Sequence, residues 1–392
     1  MKNRNRLNLS LVNPSAFGLI LMILCLDTML VRGQSRRSDD LQIDKTWENR
    51  SVVNGDGRIT SEGSLVFIVR DSSIVEAFAS DTGKKIWSTD VGGTIESNLL
   101  VSNSTVYVVR RTTATTAAAE DTAAIRALSS STGVTKWNAG VSGTESITLG
   151  VSDSDIIAIS HDGSAEAVDA GFGTIKWKRR LPATIRAEPF FLDGKAYVVI
   201  DGREIVRLGP NEGLPKRIGN AEYAISCLAA LTDETLVWGD ERGNLTLFSA
   251  SADRIGWQFK SGARIANILQ VNGLVVAASN DNFVYALSPG SGNRIWKKRL
   301  EGRISSMVSL GEYSVVVQQS GVQNVMLLNT KNGKTVGQIT FGDGEFPVAS
   351  IVLGASTLIV LSDSTLYSYH ITRNTVQKES GSGKVPANRS QK

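Results

Sequence analysis

Six tryptophans stand at a nearly constant step along this chain. Trp47, Trp87, Trp137, Trp177, Trp257 and Trp296 are separated by 40, 50, 40, 80 and 39 residues, a unit of about 40 with one Trp absent near Ile218. A fixed period of this length marks a repeat array, in which each unit buries its apolar surface only against its neighbours. The lead-in to each Trp repeats as well: Ala77-Phe-Ala-Ser-Asp-Thr-Gly-Lys-Lys-Ile-Trp87, Ala127-Leu-Ser-Ser-Ser-Thr-Gly-Val-Thr-Lys-Trp137 and Ala286-Leu-Ser-Pro-Gly-Ser-Gly-Asn-Arg-Ile-Trp296. Each reads as an alternating strand, a glycine-containing turn and a second short strand, the pattern of a β-hairpin. Two further apolar strands precede each hairpin, as Ile265 to Val271 and Leu274 to Ala278 precede the one ending at Trp296. Four strands per 40 residues is the arithmetic of a propeller blade.

These residues support a family resemblance. The pattern Ala-Leu-x-x-x-Thr-Gly-x-x-x-Trp resembles the repeat of the PQQ-like, or quinoprotein-type, β-propellers over roughly residues 40 to 371. Seven hairpins close at Trp87, Trp137, Trp177, Ile218, Trp257, Trp296 and about Val336, followed by three strands near Phe346 to Leu353, Thr357 to Leu361 and Leu366 to Ile371 with no fourth. At the other end, Gln42 to Trp47 is an orphan outer strand with no hairpin before it. The expected fold is therefore all-β, an eight-bladed propeller of four-stranded antiparallel blades closed by the N-terminal strand, which removes a free sheet edge. Seven blades follow instead if Gly209 to Gly219 is an insertion. The repeat tryptophans are expected to pack between blades, each indole N–H on an acceptor, because a buried donor left unpaired is costly.

Residues 1–33 carry Lys2, Arg4 and Arg6, an apolar run from Ala16 to Leu26 and the small Gly33. The run is short for a bilayer span and is followed by Asp27, so a secretory signal peptide is expected, with an uncleaved anchor as the other option. Leu24 before Cys25 speaks against lipidation, which requires a small residue there. Export places the domain, 34–372, in the periplasm or cell envelope, and the Ser-, Gly- and Lys-rich segment 373–392 reads as a disordered basic tail. The net charge of +4 resides in the two ends: segment 34–372 alone carries −3 and offers no footprint for nucleic acid.

Catalytic and metal chemistry find few candidates. Of two cysteines only Cys227 lies in the domain, within an apolar strand, and the two histidines, His161 in a turn and His370 in the last strand, are far apart in sequence. That set makes no zinc site of ordinary spacing, and Asn54-Gly-Asp-Gly57 lacks the later ligands of a calcium loop. Quinoprotein dehydrogenases share the repeat, but the vicinal cysteine pair common in that family is missing, and no catalytic residue, metal or cofactor is assigned. The alternatives to a scaffold are such a cofactor enzyme and a small-ligand sensor at the channel mouth. For the sensor, Arg58, Arg264 and Arg303 each precede an Ile at the start of an inner strand and would ring one mouth, or pair with Glu96, Glu188 and Glu345.

In size, export and blade pattern the chain most resembles the periplasmic β-propeller subunits of the outer-membrane β-barrel assembly machinery. That resemblance implies a non-catalytic scaffold with a protein partner in the envelope. In that family a hydrophobic–Arg pair in the fourth blade docks the barrel-inserting partner, and Ile185-Arg186 falls at the matching place. The assisting acidic residues of the next blade have no clear counterpart, Glu222 being out of register.

Overall fold

The computed structural model describes residues 41–51, 55–113, 122–209, 211–318 and 323–373. The expected leader and all but the first residue of the expected tail lie outside the described residues. Every regular element described is a β-strand. Eight antiparallel sheets follow one another: blades 1 to 7 span 55–90, 94–141, 147–180, 190–220, 225–260, 265–299 and 304–340. Blade 8 takes three strands from 347–373 and its outer strand, Leu41–Asn49, from the other end of the chain. That strand pairs with Leu366–Arg373 from Leu41 opposite Arg373 to Asn49 opposite Leu366, so the ring closes through backbone hydrogen bonds. The seven-blade alternative is not realised, because Pro215–Asn220 is the outer strand of blade 4, paired with Glu204–Leu208.

Eight apolar cores lie between successive blades, one per interface, including the seam where Val66, Ile68 and Phe78 of blade 1 meet Ile359, Leu361 and Leu366 of blade 8. Each middle strand is covered by a blade on either side, which is why segments such as Leu65–Arg70 and Asp155–Ser160 read as continuous apolar runs. Outer strands have one wet face, and their alternation shows in Lys85–Asp90, where Trp87 alone is buried.

The tryptophans obey a rule that spans two blades. Trp47, Trp87, Trp137, Trp257 and Trp296 donate their indole N–H to carbonyls of the next blade's outer hairpin turn, Ser80, Ser130, Ala170, Pro289 and Thr330, at 2.6–3.1 Å. The glycine of that same turn sits flat on the ring. A Cβ added to Gly83, Gly133, Gly173, Gly213, Gly292 or Gly333 would come within 3.0 Å of Trp47, Trp87, Trp137, Trp177, Trp257 or Trp296 respectively. All six glycines have φ between +63 and +74°, a left-handed turn conformation that L side chains enter only with strain. Where Trp is missing, the glycine ahead of it is missing too. Blade 4 carries no Trp, and the turn of blade 5 places Asp253 in the left-handed conformation. In blade 7 the Trp register, opposite Leu327, falls on Gly337 rather than the anticipated Val336, and the blade ahead is the seam, which has no outer turn because its strands come from opposite ends of the chain. There Ile43 of the closing strand fills the space over Gly337.

Candidate functional site

An antiparallel four-strand meander puts the turns between strands two and three, and the connectors between blades, at one end of the ring. Each connector must set the next inner strand against the channel, and in blades 2 to 7 it does so with an isoleucine at one repeat position, opposite the end of strand two: Ile95, Ile147, Ile185, Ile225, Ile265 and Ile304. Ile95, Ile147, Ile185, Ile225 and Ile265 are at most 3% exposed. The amides of Ile95, Ile185 and Ile225 donate to carbonyls of Ser72, His161 and Gly202 in the preceding blade at 2.7–2.8 Å.

This corrects the expectation for Ile185. Its side chain is an interblade anchor, packed with Ile159, Trp177 and Ile200, and offers no apolar surface to a partner. Arg186, the next residue along an extended backbone, points the other way and is exposed. Its Cδ lies 3.7 Å from where a Cβ on Gly202 would stand, ordinary van der Waals distance, and it makes no ion pair with a described residue. Glu188, two residues on, is engaged elsewhere: Thr148 Oγ1 donates to it at 2.6 Å and His161 Nε2 lies 3.7 Å away. The Glu188 carboxylate facing it holds the His161 imidazole above its ordinary value of 6.5, and the imidazole in turn holds the Glu188 carboxyl below 4.5. Asp162 alongside is lowered as well: burial alone would raise it, but amide and side-chain hydrogen bonds from Ser164 and Thr144 outweigh that.

The channel mouth over blades 1 to 4 holds a cavity of about 530 Å³ walled by Arg58, Glu96, Asn98, Glu145, Thr148 and Glu188. Of the three arginines expected at the mouth, Arg58 lines this cavity and donates to the Ile95 carbonyl at 2.7 Å, while Arg264 pairs with Glu241 at 2.9 Å. Arg303 directly precedes the inner strand of blade 7, Ile304–Leu310, and does not line this cavity. The glutamates weighed as their partners are taken by other groups, Glu96 by Arg111 and Glu345 by Ser362 and Tyr367. Arg111 also donates to the Gly143 and Glu145 carbonyls at 3.1 Å, and Asn98 bridges to Leu149 N and O, so blades 2 and 3 are laced together at the mouth. Sequence reading missed Arg111 and Asn98, since a charge at a strand end and an amide mimicking a backbone pair carry no periodic signal.

The other candidates remain apart. Cys227 Sγ lies 3.6 Å from the Ile265 carbonyl, and burial pushes the thiol up to about 12. Glu222 is exposed beside Tyr223, whose ring lies 4.7 Å under the Arg242 guanidinium. No group of three His, Cys, Asp or Glu side chains able to hold a metal occurs among the described residues.

A closed ring of eight PQQ-type blades, with a polar cavity at the mouth on the connector face, defines the class: a PQQ-type β-propeller. The family model described as outer membrane protein assembly factor BamB matches residues 42–166, 123–216 and 219–389, and the chain belongs to that family. A relative from Yersinia pestis, outer membrane protein assembly factor BamB, is 26% identical over 352 residues, covering 83% of this chain and 88% of its own. The crystal structure of BamB from Moraxella catarrhalis superposes with a TM-score of 0.63 at 17% identity, covering 84% of this chain and 98% of that one. The C-terminal WD40 domain of Sif2 gives 0.66 at 12% identity over 84% of this chain and 98% of that one, so structural likeness at this level establishes the propeller fold alone.

Proposed function

We propose that this chain is an exported, non-catalytic scaffold that takes part in outer-membrane protein assembly by docking a protein partner on its connector face. Family membership along nearly all of the domain supports the process, and the observation that carries the docking site is Arg186. An exposed guanidinium without an ion pair among the described residues, set on a backbone pinned by the buried Ile185 and its bond to His161, is a charge-assisted donor for an acidic or carbonyl-rich partner surface. Ile185 serves that site by position and not by contact. Release from the expected leader would deliver the domain to the periplasm, where no enzymatic step is required of it.

The test is Arg186→Glu in the full chain. Co-purification with the β-barrel assembly partner from envelope extracts should be abolished while the melting temperature stays within a degree or two, as surface substitutions usually change stability by less than about 0.5 kcal/mol. A folded Arg186→Glu protein that recovers the same partners would overturn the docking site. The cavity at the channel mouth favours one second reading, a small polar ligand bound between Arg58 and Glu145, in a volume of ordinary ligand-site size. A thermal-shift screen that raises the melting temperature of the wild type but not of a Glu145→Gln variant would support it.

A further inference from the structure

Trp238 is the seventh tryptophan of the chain and stands outside the repeat register. It lies in strand two of blade 5 opposite Thr246, and Thr246 lies opposite Gln258, so the three form one row across the face that packs on blade 4. In blades 1, 2 and 3 the strand-three position of that row holds a long charged side chain engaged within the fold: Glu76 with Lys85 at 2.8 Å, Arg126 with Thr135 at 2.9 Å and Glu166 with Lys178 at 3.2 Å. Blade 5 has the short Thr246 there, and blade 4 has no repeat Trp to fill the space from its own side. The interface between these two blades is left with a cavity of about 220 Å³.

The walls of this cavity carry unused hydrogen-bonding groups. Trp238 is 3% exposed and lines it, and its indole N–H meets no acceptor among the described residues, whereas five repeat tryptophans give theirs to a carbonyl. A buried donor without an acceptor is costly, and the cavity is where an acceptor can enter. Thr246 Oγ1 accepts from Gln258 Nε2 at 3.3 Å, which leaves its own O–H to donate. Asn244 Nδ2 donates to Asp240 Oδ2 at 2.6 Å, which orients the amide and leaves Asn244 Oδ1 as an acceptor. Charge then narrows the ligand. Asp240, the buried acid, already accepts three hydrogen bonds, from the amides of Arg242 and Asn244 and from Asn244 Nδ2, so a cation finds no free carboxylate inside. An anion would face Asp240 and Glu222. A neutral ring remains, with hydroxyls that both donate and accept and C–H faces to lie against the apolar surface of Trp238 and Ile255. The volume falls below the about 300–1,000 Å³ of sites for drug-sized ligands and admits one such ring.

We propose that the cavity between blades 4 and 5 binds a neutral pyranose sugar, free or as the end unit of a longer glycan, with its ring against Trp238 and a sugar oxygen accepting the indole N–H. The proposal uses neither Arg186 nor the protein partner, so it and the docking reading can fail separately. The test follows the indole N–H resonances of the seven tryptophans by NMR in the isotope-labelled full chain, with Trp238 assigned by its loss in Trp238→Phe. The probes are glucose, galactose, mannose and N-acetylglucosamine, with putrescine and inorganic phosphate as charged comparators. One or more of the sugars should move the Trp238 resonance saturably while the repeat indoles stay in place. Thr246→Val and Gln258→Ala should each weaken that binding about three- to tenfold, the worth of one hydrogen bond. Thr246→Val keeps the shape of a buried side chain and Gln258 is exposed, so unmoved repeat resonances report an intact fold in both variants. No saturable shift with any of the four sugars overturns the proposal, as does a shift that both variants retain in full. A response to putrescine or phosphate in place of the sugars also overturns it, because it assigns the cavity to a charged ligand.

Discussion

Replacing Gly133 by Ala perturbs the two-blade rule at a single methyl group. The turn conformation, φ +71°, costs an L residue about 1–2 kcal/mol. The new Cβ would stand 2.6 Å from the Trp87 ring and 2.5 Å from Thr89 Oγ1, and forcing such an overlap in a packed interface costs about 1–3 kcal/mol more. The total, about 2–5 kcal/mol, matches the cost of about 3–5 expected for Trp87→Ala, which empties the same interface. Two comparisons separate the terms. Gly273→Ala has nearly the same φ, +68°, with nothing within 4 Å of its Cβ, and should cost only the conformational part. In a Trp87→Ala background the ring's share of the steric term vanishes while the Thr89 contact remains, so Gly133→Ala should there cost less than in the wild type but still more than Gly273→Ala, a coupling of about 1–3 kcal/mol at most. Equilibrium denaturation in urea, read by fluorescence and far-UV circular dichroism together so that any departure from two-state unfolding shows, supplies the four free energies. If Gly133→Ala costs no more than Gly273→Ala in the wild type, or the two changes at Gly133 and Trp87 simply add, the interblade reading of the glycine is wrong.

Deleting residues 41–49 should strip the ring of its closing strand, expose the 366–373 edge and leave Ser80 and Gly83 without Trp47, lowering the melting temperature sharply with aggregation; an unchanged melt would refute closure. Ile185→Ala should cost about 2–4 kcal/mol by denaturation, as expected for a core anchor, with partner capture surviving in whatever fraction remains folded. His161 should titrate above 6.5 by NMR, and Glu188→Gln should bring it down. The sign of the linked stability follows. A raised imidazole stabilises below about 6.5 and loses its contribution as pH rises through the folded value, and the lowered Glu188 carboxyl stabilises above about 4.5 and loses it on acidification, so wild type should exceed Glu188→Gln most between those values. A difference growing toward pH 8 would contradict the pairing.

The elements and their number can be read from the chain before any folding is considered. A Trp every 40 residues, a glycine four before it and doubly apolar strands between them fix a four-stranded blade, because strand alternation and turn conformation are local properties written in consecutive residues. Even the closing strand was legible, since an orphan Trp47 at one end and a three-stranded remainder at the other leave one way to pair the last edge. The sites were not legible to the same depth. Ile185 read as a docking residue through the family resemblance, and only the packed neighbour blade shows that connectors use an Ile at this position as an anchor, as with the buried Ile95, Ile147, Ile225 and Ile265. Arg58, Arg264 and Arg303 share a register along the chain, yet their partners are Ile95 O for the first and Glu241 for the second, groups on other strands that no spacing predicts. The pairing of each Trp with the glycine of the following blade likewise belongs to tertiary structure. Both residues were visible, but which glycine lies on which ring depends on how blades stack, and that is decided by through-space contact between segments more than 30 residues apart.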